Sequence, residues 1–220
     1  MDSLEELASD IIDCRACPRL VAWREEIAAN KRASFRDWTY WGRPVPGFGD
    51  PNAGIVVVGL APAAHGANRT GRIFTGDRSG DFLYASLHRM GLANQAESTH
   101  KSDGLMLSGV YVTTPVRCAP PQNKPTSAER DACRPFLVRE FELLKQAKVF
   151  VALGAVGYGA IAQELGVKPR PKFAHGLEAA AAGGRIVLCS YHVSQQNTFT
   201  GRLTPQMLDA VFGRALEIAS

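Results

Sequence analysis

The chain has 220 residues, 45% hydrophobic and 21% charged, which suits one substantial core and is short for two. No apolar run approaches the length of a membrane span, and the opening MDSLEELASD is acidic where a secretory leader is basic and then apolar; a soluble, cytoplasmic, monomeric protein is expected. A net charge of +4 permits a polyanionic partner without pointing to one, and five cysteines in such a chain favour thiolate ligation of a metal over a disulfide framework, with one thiol left over.

Ser3 and Glu6 have capping-box spacing ahead of an apolar pattern, so a helix is predicted over Leu4 to Ile12, delivering Cys14-Arg15-Ala16-Cys17. Two thiolates separated by two residues can point at one centre, as in zinc and iron–sulfur sites, although thiol redox sites share the spacing. A second helix is predicted from Pro18 toward Asn30. Lys31 to Gly49 then interleaves basic residues with Phe35, Trp38, Tyr40 and Trp41. That is the make-up of a nucleic-acid contact surface, or equally of an excursion whose aromatics pack on the core.

The β-branched run Ile55 to Val58 reads as a buried strand and leads into GLAPAAHGANRTGRIFTGD, Gly59 to Asp77, ahead of a helix predicted over Ser79 to Met90. Open α/β sheets bind ligands at such strand ends. The small residues from Gly59 to Ala64 let a ligand approach the backbone, Arg69 and Arg72 can hold anions, and Phe74 and Asp77 follow. The bland alternative is a Gly-rich connection with two solvated arginines.

Asn94 to Ser108 reads as a polar surface loop feeding a strand over Val110 to Val116, which ends at Arg117-Cys118. The Pro-rich APPQNKPT, carrying Asn123 and Lys124, should form a rigid, shaped loop. Thr126 and Glu129 repeat capping-box spacing and open a helix through Cys133 toward Leu144. Two further strand-then-helix units follow, Val149–Leu153 with Ala155–Leu165 and Ile186–Tyr191 with Thr204–Ile218, while Glu178 to Gly184 reads as a turn. Four strands each followed by a helix imply a single three-layer α/β/α domain, residues 1–220, around a four-stranded parallel sheet.

Cys118 and Cys133 complete a set of four with Cys14 and Cys17, and a centre held by them would fasten the N-terminal helical segment to the sheet. Ligand count does not separate a four-thiolate zinc from a [4Fe–4S] cluster, and four unrelated buried cysteines is the remaining alternative. Cys189, inside an apolar strand, reads as a packed thiol. His192 opens HVSQQNTFTGRLT directly after the last strand, at the same sheet edge as the Gly59–Asp77 loop. It offers a donor for a developing anion, with the amides of Gln195, Gln196 and Asn197 beside it, or else caps the following turn. His65, inside the first motif, stays ambiguous.

Taken together, GLAPAAHGANRTGRIFTGD, the cysteine set and HVSQQNTFTGRLT closely resemble the uracil-DNA glycosylase superfamily and, within it, the type-B enzymes of family 5, over nearly the whole chain. The resemblance implies an α/β/α repair enzyme that hydrolyses the N-glycosidic bond of deaminated bases in double-stranded DNA. It also implies a [4Fe–4S] cluster on Cys14, Cys17, Cys118 and Cys133. Phe74 would supply the stacking face in a pocket begun by Gly59, Ala61 and Ala63, and His192 the donor to a base oxygen. Most of the superfamily carries a polar residue where this chain has Ala61, and an aspartate there positions the water in better-known members. Type-B members share the substitution, and the resemblance points to Asp77 and Asn123 as the groups that orient water or stabilise the cationic sugar. Gln195 and Gln196 fall where family members enter the minor groove, and Arg69, Arg72 and Lys124 would meet phosphates. Two readings from other classes compete: a non-catalytic iron–sulfur DNA-binding or damage-sensing protein, and a zinc-stabilised α/β protein with an unrelated ligand.

Overall fold

The structure, a computed structural model, describes residues 2–220. Its sheet has six strands: β1 (Phe48–Gly49), β2 (Ile55–Val58), β3 (Val110–Thr113), β4 (Val149–Leu153), β5 (Glu178–Ala180) and β6 (Ile186–Ser190), in the spatial order β1-β3-β2-β4-β6-β5. The central four are parallel, each joined to the next by a connection that carries a helix, and the edge strands β1 and β5 run antiparallel. The expected four-stranded core is present but is flanked by two edges of two and three residues. Glu178 to Gly184 is therefore no simple turn: its first three residues pair with Ile186 to Leu188. Strands this short have no periodicity to read.

Side-chain alternation divides the core between two layers. Ile55, Val57, Val110, Val112, Val149, Val151 and Leu188 face α4 (Arg78–Arg89) and α8 (Pro205–Ala219), burying Leu83, Leu87, Leu208 and Phe212. Val56, Val58, Tyr111, Phe150, Ala152, Val187 and Cys189 face α5 (Ser127–Leu143) and α6 (Gly154–Glu164), burying Leu137, Phe141, Tyr158 and Ile161. Cys189 is fully buried, as its place in an apolar strand implies, and burial raises its thiol pKa to about 12.

Two N-terminal helices, α1 (Leu4–Ile12) and α2 (Pro18–Ala29), lie outside the repeat. Ser3 caps α1 by accepting from the Glu6 backbone N–H, and Arg139 on α5 pairs with Asp2 and Asp10 to hold α1 against α5. Among the described residues, no helix is long and apolar enough to cross a membrane. The register pairs Val58 with Thr113 and Leu153 with Ser190, so β2, β3, β4 and β6 end level and their following loops gather at one edge.

Candidate active site

At that edge lies a cleft of about 1000 Å³, walled by Ala63, His65, Gly66, Arg69, Asp77, Arg78, Asn123, Ser194, Gln195 and Gln196. The loops after β2, β3 and β6 thus converge, and Asp77, Asn123 and the residues just after His192 share one wall. Of the expected site residues, Gly59, Ala61, Arg72, Phe74, Lys124 and His192 do not line it.

Asp77 is the N-cap of α4. Its Oδ1 accepts from the backbone N–H of Ser79 (2.9 Å) and of Gly80 (3.0 Å), which fixes the carboxylate, while Oδ2 has no hydrogen-bond partner among the described residues. That free oxygen lies over Gly66, where an added Cβ would stand 1.9 Å from it, so only glycine fits there. Burial raises the Asp77 pKa, opposed by the two backbone donors.

The ring of Phe74 rests on the backbone of Gly59, where a Cβ would come within 2.6 Å of it. Its centroid lies 6.2 Å from that of His192, with the planes inclined at 40°. Burial lowers the His192 pKa to about 4, so the imidazole is neutral at physiological pH, with one N–H to donate. Asn197 steadies the turn by donating to the His192 carbonyl at 2.8 Å.

Among the described residues, only three other than glycine have left-handed backbone: Phe74 (φ 50°), Gln122 (φ 55°) and Asn123 (φ 56°). Two of them are predicted site residues and the third adjoins one. Strain of this kind costs on the order of 1–3 kcal/mol per residue and persists where the surroundings over-determine it.

The basic residues depart from expectation. Arg72 is 4% exposed, its guanidinium doubly bonded to the Asp103 carboxylate at 2.9 and 2.7 Å and bonded to Thr75 and Ser98. It braces the first motif from beneath and does not face a phosphate. Arg69 borders the cleft but is also buried: it donates to the carbonyls of His65 and Gly76, and its guanidinium lies 3.9 Å from the Phe35 ring centroid and 4.1 Å from that of Trp38. Phe35 and Trp38 therefore shield a cation at the cleft wall. Lys124 is exposed beside Asn123, and its carbonyl accepts from Arg19. The exposed cations at the cleft are Arg32 and Arg78, which sequence reasoning missed; that Arg78 directly follows the capping Asp77 was the available signal. His65 is held by the Tyr40 hydroxyl at 3.0 Å, and its pKa is lowered first by burial and then by Arg32 and Arg69.

A second, far smaller cavity, of about 20 Å³, is bordered by Cys14, Cys17, Cys118 and Cys133 together with Leu20, Val21, Val116 and Phe136. All four cysteines are free thiols. Among the described residues, no group of three or more His, Cys, Asp and Glu side chains could hold a metal ion as they stand; the sulfurs border a hollow instead. Two arginines line it. Arg24, 2% exposed, donates to the Cys118 sulfur at 2.9 Å and to the Cys14 carbonyl. Arg117, 1% exposed, pairs with buried Glu140, and its backbone N–H donates to the Cys133 sulfur at 3.3 Å. Each has an Nε without a partner. Among the described residues, Arg24 has only Glu25, 3.9 Å away on the surface, to offset its charge. A buried cation so poorly compensated fits a cavity that receives an anionic centre. Ala61 packs on the outer side of this lining, against Leu20, Val116 and Cys118.

The family described as the uracil DNA glycosylase superfamily matches residues 46–215. The chain is 53% identical to a type-5 uracil-DNA glycosylase of Mycobacterium leprae, over 99% of this chain and 96% of that protein. It is 52% identical to one of Thermus thermophilus over 98% of each, and 44% identical to one of Pyrobaculum aerophilum over 96% of this chain and 91% of that protein.

Proposed function

Since the chain belongs to the uracil DNA glycosylase superfamily, we propose that it excises uracil, and other deaminated bases such as hypoxanthine, from double-stranded DNA by hydrolysing the N-glycosidic bond. The observation that carries this reading is the Asp77 carboxylate, one oxygen committed to the helix and the other free on the cleft wall that it shares with Asn123. A module that only binds has no need of it.

A base stacked in a duplex is out of reach, so it must be extruded, and the cleft has room for a nucleotide and its neighbouring phosphates. Phe74 offers the stacking face. As the bond breaks, negative charge grows on the base and positive charge on the sugar. Neutral His192 answers the first by donating its N–H to a base oxygen, without carrying a proton to give up. Asp77 Oδ2 accepts a hydrogen bond from the attacking water, and the Asn123 amide, held by its left-handed backbone, orients that water or the sugar. Ala61, Ala63 and Ala64 carry no polar side-chain group to select one base edge, which supports broad lesion scope. Gln195 and Gln196 enter the minor groove, while Lys124, Arg32 and Arg78 meet phosphates. Among the described residues no lysine lines the cleft, so the product is an abasic site on an uncut strand.

The four thiols, the apolar walls and the buried, poorly compensated Arg24 guanidinium support a [4Fe–4S] cluster held by Cys14, Cys17, Cys118 and Cys133. When bound, it cross-links the N-terminal segment to the sheet layer.

The test is an end-labelled duplex carrying one uracil opposite guanine, read with and without hot alkali. Cutting that appears only after alkali is expected. Cutting without alkali would overturn the monofunctional assignment, and tight binding with no cut in either arm would favour a damage sensor. A parallel panel of lesion duplexes tests scope, and rejection of every base but uracil would restrict it.

A further inference from the structure

Arg24 stands between the cysteine cavity and the cleft. Its guanidinium holds the Cys118 sulfur and the Cys14 carbonyl. Its own carbonyl accepts from the Asn68 side chain at 3.2 Å, and Asn68 is completely buried in α3 (Ala67–Thr70), the single helical turn inside the Gly59–Asp77 loop. That turn is tied again on its far side, by Gly42 N–H to the Asn68 carbonyl and Trp41 N–H to the Arg69 carbonyl, both at 3.0 Å. Arg69, the next residue, forms the cleft wall beneath Phe35 and Trp38. One residue thus touches a cysteine on one side and the loop that frames the cleft on the other.

We propose that Arg24 is a positioning residue with two separable roles: its charge sets the electrostatics of the centre held by the four cysteines, and its backbone, through Asn68, fixes α3 and with it the cleft wall. The first role rests on the cluster reading; the second stands on hydrogen bonds alone. A buried positive charge beside a sulfur ligand favours the reduced form, because an added electron enters a less negative surrounding field. Loss of that charge moves the midpoint potential to more negative values. The Asn68 bond lies outside the cavity and leaves the potential alone.

The experiment uses the full-length protein purified with its centre in place. Visible absorbance and iron content establish loading, the midpoint potential comes from a redox titration, and amide exchange is followed at Asn68, Arg69, Thr70 and Gly71. Arg24→Gln is expected to load and to shift the potential to more negative values, with exchange in α3 as in the parent because the backbone carbonyl that Asn68 meets is untouched. Arg24→Lys, which keeps the charge but lacks the fork, shifts the potential in the same direction by less. Asn68→Ala speeds exchange in α3 and keeps the parent's potential. The proposal is overturned if Arg24→Gln, or Arg24→Met should the glutamine variant fail to load, keeps the parent's potential, or if exchange in α3 is unmoved in Asn68→Ala. A parent protein without iron would defeat the cluster reading, and with it the first role only, because exchange in Asn68→Ala still decides the second.

Discussion

In the cysteine cavity two guanidinium groups are buried among apolar walls, Arg24 against the Cys118 sulfur and Arg117 against Glu140; in the cleft, the exposed cations Arg32 and Arg78 stand at an open rim beside the half-free carboxylate of Asp77. The first region stores charge where water cannot screen it, which suits a permanent resident. The second keeps a partner unfilled and holds its backbone in strained geometry, which suits a transient one. Both borrow rigidity from the same loop, since Ala61 packs on the cavity lining while Ala63 walls the cleft.

The largest effect should come from breaking the cavity. Cys118→Ser is expected to remove the tie between residues about 100 apart and cost on the order of 3–5 kcal/mol by analogy with loop closure, lowering Tm by about 10 °C in calorimetry. A Tm unchanged in that variant would show the cavity to be idle. Arg72→Met, which strands Asp103 nearly buried beside its former partner, should lose about 3 kcal/mol in urea unfolding while the salt dependence of duplex binding stays as it was. An altered salt slope with stability intact would return Arg72 to the DNA surface.

Asp77→Asn should lower single-turnover excision by about 100-fold or more and raise stability by about 0.5–1 kcal/mol, because the amide still caps α4 and no carboxylate need be buried. That opposite pair of signs is characteristic of a site residue and would be absent from the cavity. Arg78→Ala is a smaller change: affinity for duplex DNA should weaken evenly across sequences and the salt slope should fall by about one unit.

The pH profile separates the two titratable groups of the site. Asp77 acts as a carboxylate with a raised pKa, so excision falls on acidification at a higher pH than an ordinary aspartate would allow, and His192→Gln should leave that acid limb in place. His192 contributes to stability instead. Its folded pKa of about 4 lies below the ordinary 6.5, so the unfolded chain takes up a proton that the folded one refuses. The contribution is complete above pH 6.5 and disappears as the pH falls toward 4. Loss of the acid limb in His192→Gln would reverse the two assignments.

Much of this architecture is legible in the residues alone. β-branched runs marked the four central strands, Ser3 and Thr126 marked helix starts by capping chemistry that the structure contains, and Cys189 read correctly as a packed thiol. These are local signals, settled within a few residues of chain, and so is the order of the two motifs at one sheet edge. The antiparallel edges β1 and β5 left no such trace, since two or three residues pair only because a longer neighbour presents its backbone to them. The arginines show the same division more sharply. Arg69 and Arg72 look like anion holders in a Gly-rich loop, and nothing local distinguishes them from Arg78; what buries one under Phe35 and Trp38 and the other against Asp103 is chain that lies about 30 residues away. By itself, then, the sequence determined the central sheet, the cysteine set and the family, because those depend on spacing and residue type. Which cations are exposed at the cleft, which oxygen of Asp77 is free, and that Arg24 joins the cavity lining to α3 were decided only in three dimensions, where desolvation and hydrogen-bond partners are set by distant segments.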